Sequence, residues 1–353
     1  MLPGAVFDPQ LRKLLSRAVA RAGSEMARDA PDMAAEVCLW MKALAGTGPA
    51  EEYFQEGRAT IFLLPWFLEK SLRPAPDPEF QSGLVYSSVN AYYYVRLIDN
   101  LQDGPDVKDR QVCPELRLLP ALGFFHAQFQ SPYQRYFPSD SPFWKFFHST
   151  WVSMAEATFK DATTTNFSAA EFTAFAARKS AGVKIPLAAV CFRYERTDLL
   201  DRWCSFYDRL ACWNQMLNDL LGWQKDSSGG ISTFLLSEAR RSKHSRESET
   251  GWMVRRGFAW ACGLLRSWMQ ELQTLASALH SSDLEAYLNY REREITNWQK
   301  TLSPDLVRLA RLANLLERTP AKGARFPQVP PEKEKNGKKK SKPNGVRRRT
   351  IPH

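Results

Sequence analysis

Helical periodicity runs through almost all of this 353-residue chain, with no convincing run of alternating β-branched residues bounded by hairpin turns. A chain patterned this way buries apolar stripes by packing helix on helix, so an all-α fold is expected. At 44% hydrophobic and 12% aromatic residues, it has ample material for a large core. The pattern predicts helices over 9–26, 31–46, 50–72, 80–103, 115–130, 141–160, 168–194, 198–226, 231–242, 249–280, 282–300 and 304–318. Pro65 and Pro186 fall inside two of these and should kink or interrupt them. Asp-Gly-Pro at 103–105 and Ser-Pro at 303–304 read as boundaries. No fixed-period repeat is visible, and the expected organisation is a single all-α domain over 1–320 followed by a tail over 321–353.

The net charge of +10 belongs mostly to that tail, where eleven Lys or Arg stand against two Glu. The body is near neutral and gives no reason to invoke nucleic acid. The tail has several prolines, no apolar face and two dense basic runs, Lys338–Lys340 and Arg347–Arg349, so disorder is expected. It reads either as a solvated tail or as an attachment to anionic lipid or nucleic acid, with peripheral membrane contact among the options. Six cysteines show no CxxC spacing, and the N-terminus lacks the apolar core of a signal peptide. Reduced, mostly buried thiols and a cytoplasmic location are the expectation. The longest strongly apolar run, Ile61 to Leu68, is far shorter than the ~20 residues that span a bilayer.

Two helical segments carry oxygen ligands where apolar residues would be ordinary. In NAYYYVRLIDNLQDGPD, Asp99 and Asp103 lie four apart and hence on one helix face. Like charges there repel, and the surrounding Tyr, Val, Leu and Ile argue for burial. A cation between the two acids resolves the conflict, and the absence of His favours Mg²⁺ or Mn²⁺ over Zn²⁺. Asp103 before Gly-Pro is equally read as a helix terminator. In WNQMLNDLLGWQKD, Gln215, Asn218, Gly222 and Asp226 recur at spacings of three, four and four, which makes a polar stripe on an apolar helix. Such a stripe faces either water or a shared pocket. Mg²⁺ commonly completes its shell with phosphate oxygens, which points to a phosphorylated substrate.

Together the two motifs resemble those of the class I isoprenoid-diphosphate enzymes: terpene synthases, prenyl synthases and squalene/phytoene synthases. Arg96, Asp99 and Asp103 are similar to the squalene/phytoene first motif, and Asn100 stands where the terpene-synthase motif has its second Asp. Gln215 and Asn218 resemble the NQxxN opening of the squalene/phytoene helix. Asn218, Gly222 and Asp226 are similar to the Asn–Ser–Glu metal triad of terpene synthases, with Lys225 beside the acid. The resemblance covers residues 50–318 and is carried by about 25 of them.

The resemblance implies a single-domain helical bundle with a central active-site cavity. It also implies several Mg²⁺ ions held by Asp99, Asp103, Asn218 and Asp226, and a prenyl diphosphate as substrate. Arg96, Arg178, Lys179, Gln215 and Lys225 are then expected at the diphosphate, with Tyr290 and Arg291 supplying a closing cation contact. Tyr92, Tyr93, Phe175, Gly222 and Trp223 are expected to line the cavity. Gly222 cannot ligate a metal through a side chain and replaces an acid of the squalene/phytoene type, which turns the expectation toward ionisation and cyclisation of one prenyl diphosphate. A prenyltransferase condensing two prenyl diphosphates, and a descendant that binds diphosphate without turnover, are the alternatives. Prenyl chain length, product skeleton and oligomeric state stay open.

Overall fold

The computed structural model describes residues 8–45, 54, 60–102, 114–161 and 164–318. The chain divides into two units, Met1–Ala310 and Arg311–His353. Of the second, residues 311–318 are described and are helical. Within the described residues every regular element is a helix or helical turn, as the periodicity predicts. No described helix is long and apolar enough to cross a membrane. Asp103, Asp-Gly-Pro at 103–105, Cys113 and the basic tail lie outside the described residues.

The first four helices are α1 (Pro9–Asp29), α2 (Pro31–Ala45), α3 (Thr60–Leu72) and α4 (Pro78–Gln102). α1 starts behind Asp8, whose carboxylate accepts from the backbone N–H of Gln10. The turn between α3 and α4 is held by Glu69, which is fully buried. Its carboxylate accepts from the Asp77 backbone N–H at 2.7 Å, Gln81 Nε2 at 2.5 Å and Tyr194 Oη at 2.5 Å. Three anchors of this kind on one carboxylate offset the cost of burying it and fix where α4 starts. α5 (Ala121–Gln134) packs along α4, and Ser87 donates to the Phe129 carbonyl at 2.6 Å.

The second half runs through α6 (Pro142–Asp161), α7 (Ala169–Lys179), α8 (Lys184–Arg193), α9 (Leu200–Ser228), α10 (Phe234–Ser242), α11 (Glu249–Trp252), α12 (Phe258–Ser277) and α13 (Ser282–Arg318). α9 is the central strut of this half and packs against α7, α8, α10 and α12. Trp213 donates its indole N–H to the Leu265 carbonyl of α12 at 3.0 Å. Tyr207 donates to the Ser180 carbonyl at 2.9 Å, tying α9 to the end of α7. These bonds keep two large polar-tipped side chains satisfied in the core.

Several boundaries differ from the sequence expectation. The segment 168–194 breaks into α7, a 3₁₀ turn at Ala181–Val183 and α8, just ahead of Pro186, whose ring and missing N–H disfavour a continuous helix there. Pro65 is instead accommodated inside α3. The segment 115–130 divides at Pro120 into a 3₁₀ turn and α5. Pro304, taken from the sequence as a break, lies inside α13, which is one helix from Ser282 to Arg318. The segment 249–280 contains a π-helical turn at Met253–Gly257.

Gly257 explains how that π turn fits. A Cβ on it would stand 2.3 Å from Trp252 Cζ3, far inside contact distance, and Trp252 is buried. Gly257→Ala should therefore destabilise the fold by about 1–3 kcal/mol through overpacking. Urea unfolding checks this; an unchanged midpoint would mean that Trp252 moves aside at no cost.

Candidate functional site

On α4, Tyr92, Val95 and Asp99 are spaced three and four apart and share one face. That face lines a cavity of about 260 Å³. Across the cavity, α9 contributes Gln215 and the end of α7 contributes Lys179. α6 adds Trp151, Met154 and Thr158, and α3 adds Thr60 and Ile61. The 3₁₀ turn ahead of α8 completes the wall with Gly182, where a Cβ would come within 3.1 Å of the Met154 sulfur. Largely apolar walls thus surround one acid, one ammonium and one amide drawn from three helices, with the hydroxyls of Thr60, Thr158 and Ser180 beside them.

Behind Gln215 lies a residue that the stripe of Gln215, Asn218, Gly222 and Asp226 skips. Asp219 is 3% exposed, and its carboxylate accepts from Gln215 Nε2 at 2.9 Å and from the Leu235 backbone N–H. Burial pushes its pKa up to about 7, reinforced by the neighbouring Asp226 charge and opposed by these hydrogen bonds and by Lys179. The bond to Gln215 engages the amide nitrogen and leaves the amide oxygen for other partners. Of this stretch of α9, Gln215 lines the cavity, whereas Asp219, Gly222 and Asp226, which follow it at spacings of four, three and four, are not among the lining residues. The sequence expectation for Gly222 and Asp226 at the cavity is therefore not met. Asn218 is solvent-exposed and does not line the cavity.

Gly222 has a packing role as well. The Asp226 carboxylate lies back along the helix, so that a Cβ at Gly222 would stand 3.2 Å from Asp226 Oδ2. Lys179 forms an ion pair with Asp161 and lies 5.7 Å from the Phe175 ring centre. The Lys179 ammonium also lowers, and the Asp226 carboxylate raises, the pKa of Asp219.

The remaining residues expected at the site are placed differently. Arg178 turns away from this cavity, donating to Ser153 Oγ at 3.1 Å and pairing with Glu156 at 2.9 Å. With Phe175 it lines a separate cavity. Tyr93 is buried in an aromatic cluster with Trp40, Phe54 and Phe125. Arg291 is 2% exposed and packs in the core, its guanidinium 4.6 Å from the Trp213 ring centre. Tyr290 donates to Glu294 at 3.2 Å, and neither it nor Arg291 lines the cavity. Lys225 is exposed, Trp223 is half-buried against the core, and Arg96 has its Nε buried without a hydrogen-bond partner among the described residues. None of these three lines the cavity.

Among the described residues no three His, Cys, Asp or Glu side chains converge as a preformed metal cage. Zinc or calcium sites built wholly from protein ligands do not match this arrangement. One or two carboxylates beside a cavity is the donor set of a Mg²⁺ that takes its other ligands from water and phosphate. No protein-family model matches the sequence, and no curated protein matches it.

The buried acid makes a pH-dependent prediction. Between pH 4 and 7 the native state keeps a proton on Asp219 that the unfolded chain has lost, so its contribution to stability falls as pH rises and levels off above about 7. Asp219→Asn should be more stable than wild type at pH 8 by on the order of 3 kcal/mol, with the gain fading toward pH 4. Thermal unfolding of both proteins across that range checks the sign, and a gain independent of pH would contradict it.

Proposed function

We propose that this chain is a class I terpene synthase-like enzyme that ionises an allylic prenyl diphosphate, lets the carbocation cyclise or rearrange, and releases diphosphate. The observation that carries the reading is the meeting of Asp99, Lys179 and Gln215, over a hundred residues apart in sequence at the extremes, on one apolar cavity. An amphiphilic anion has both its needs met there. Asp99, with Asp103 as the sequence implies, would hold Mg²⁺ at the α4 wall. Asp226, which stands off the lining on α9, would be the second carboxylate, while the exposed Asn218 falls outside that set. The ion when bound would neutralise the diphosphate and favour its departure.

Lys179 donates charge-assisted hydrogen bonds to the diphosphate, exchanging part of its pairing with Asp161 for them. Ile61, Val95, Met154 and Val183 exclude water from the chain being ionised. The faces of Tyr92 and Trp151 stabilise positive charge at ~1–2 kcal/mol each when desolvated. Asp219 acts as a positioning residue, holding the Gln215 amide in one orientation at the wall. The reading is of a cytoplasmic protein with reduced thiols.

Cavities holding one drug-sized ligand measure roughly 300–1,000 Å³. The 260 Å³ here suits a single substrate better than the two that condensation requires. A second reading, binding without turnover, is favoured by one observation: Asn218 is exposed and lies off the cavity wall. Incubating the protein with geranyl, farnesyl and geranylgeranyl diphosphate, alone and in pairs, with Mg²⁺ or with chelator, separates the readings. Diphosphate release and a hydrocarbon from a single substrate, lost on chelation, is the expected result. Product from paired substrates only, or binding without release, would overturn it.

A further inference from the structure

Among the described residues, α13 leaves the core well before it ends. Its buried face runs through Leu284, Tyr287, Leu288, Arg291 and Ile295, and Trp298 packs half-buried behind them. The helix then continues to Arg318. Every residue past Gln299 whose exposure is described is exposed, Leu302 at 43% and Leu309 at 51% among them. These two leucines are seven apart, two turns of helix, and so lie on one face. In sequence, Leu306, Ala313 and Leu316 complete a spacing of four, three, four and three from Leu302. A helical stretch without a packed face is marginal in water, so this one calls for a cover.

The charge of the chain says what that cover is. From Lys300 to His353 stand fifteen Lys or Arg against four acidic residues, and the residues before Lys300 are close to neutral. A second copy would bring the same positive block against this one and be repelled. Nucleic acid would answer the charge and leave the leucines in water. An anionic lipid surface answers both, because the acyl boundary takes an apolar stripe while the headgroups pair with Lys and Arg. The basic residues past Arg318 are spread among prolines with no apolar period, which suits a diffuse field of headgroups better than a shaped acidic groove. No described helix is long and apolar enough to cross a bilayer, so α13 would lie along its surface.

We propose that the part of α13 beyond Trp298, together with the basic segment that follows it, docks the protein on the surface of anionic membranes. Leu302 and Leu309 enter the acyl boundary, and the Lys and Arg residues hold the headgroups. Neither signal is enough alone: a short apolar stripe binds weakly, and a polybasic segment without one is released by salt. The inference does not depend on the reaction proposed above, since it uses no residue of the cavity.

Co-sedimentation of the full chain with vesicles of phosphatidylcholine, alone or mixed with phosphatidylserine, tests the idea. Binding to the mixed vesicles should be about tenfold or more tighter than to the neutral ones, and should weaken as salt is raised. Leu302→Gln with Leu309→Gln should weaken binding to the mixed vesicles by about tenfold. The circular-dichroism signal and melting temperature should hold, because both positions are exposed. Lys338→Gln, Lys339→Gln and Lys340→Gln together should weaken binding by roughly fivefold and flatten its salt dependence. A folded leucine variant that binds as wild type does would overturn the proposal, and so would equal binding to both kinds of vesicle. Tighter binding to a random-sequence RNA duplex than to the mixed vesicles would assign the basic segment to nucleic acid instead. A solution mass halved by the leucine substitutions, with vesicle binding intact, would give the stripe to a contact between two copies.

Discussion

Asp99→Ala should lower diphosphate release from a prenyl diphosphate by roughly 10³-fold, the scale seen when one charge-stabilising group is taken from an active site. Asp99 is the carboxylate on the α4 side of the cavity and lies across it from Lys179 and Gln215. Removing it leaves Lys179 as the charged group among the lining residues, and charge accumulating on the leaving diphosphate loses the counter-charge that Asp99 would recruit. Asp99→Asn should be nearly as inactive, because an amide keeps the shape but holds a divalent cation poorly. Single-turnover release of diphosphate is the measurement, with the helical circular-dichroism signal and melting temperature retained. A variant that folds and keeps more than a tenth of wild-type activity would remove Asp99 from the chemistry.

Arg291→Ala is expected to act on stability instead, by about 3–5 kcal/mol, or roughly 10 °C in melting temperature. The guanidinium donates to Tyr287 Oη at 2.8 Å and to Asn214 Oδ1 at 3.2 Å. Its Nε stands 3.2 Å from Glu294 Oε2, close enough to pair by charge though not aligned as a hydrogen bond. Stacking over Trp213 completes a joint between α13 and the stretch of α9 that precedes Gln215. Truncation leaves the buried Tyr287 hydroxyl and the half-buried Asn214 and Glu294 without their partner, whereas Arg291→Met restores apolar volume and should recover part of the loss. If Arg291→Ala melts like wild type but no longer turns over, the residue belongs to the diphosphate site after all.

The helical class is readable from the sequence because a 3.6-residue apolar period has one physical outcome in a chain this rich in core residues. The choice between neighbours on a helix is harder, since adjacent positions face about 100° apart and chemistry alone does not rank them. Arg178 and Lys179 show how it can be settled. Phe172 and Ala176 are buried, and Lys179 continues their spacing of four and three, while Arg178 falls outside it. Tyr92 and Tyr93 divide the same way, Tyr92 with Val95 and Asp99 toward the cavity and Tyr93 with Val89 and Leu97 toward the core.

Arg291 follows Leu284, Tyr287 and Leu288 and precedes Ile295 on one apolar face, which marks it as a core arginine. Asp219 also continues a spacing of four and three, from the buried Cys212 and Met216, but its carboxylate needs a partner there that the local pattern does not supply. Its burial depends on α10 supplying the Leu235 N–H, a contact that only the tertiary fold makes. The run through Pro304 and the π turn at Gly257 are likewise decided by context that local pattern does not contain.

The cysteines are the last consequence of how tightly α8, α9 and α12 are packed. Among the described residues all are free thiols, and Cys191, Cys212 and Cys262 are buried. Burial pushes Cys191 up to about 12 and Cys212 up to about 11, so neither offers thiolate at ordinary pH. An alkylating reagent can reach them only when the helices around them part. Their labelling rate is therefore a clock on transient opening, wound into three separate helices of the chain, and it can be read without adding a dye or changing a residue.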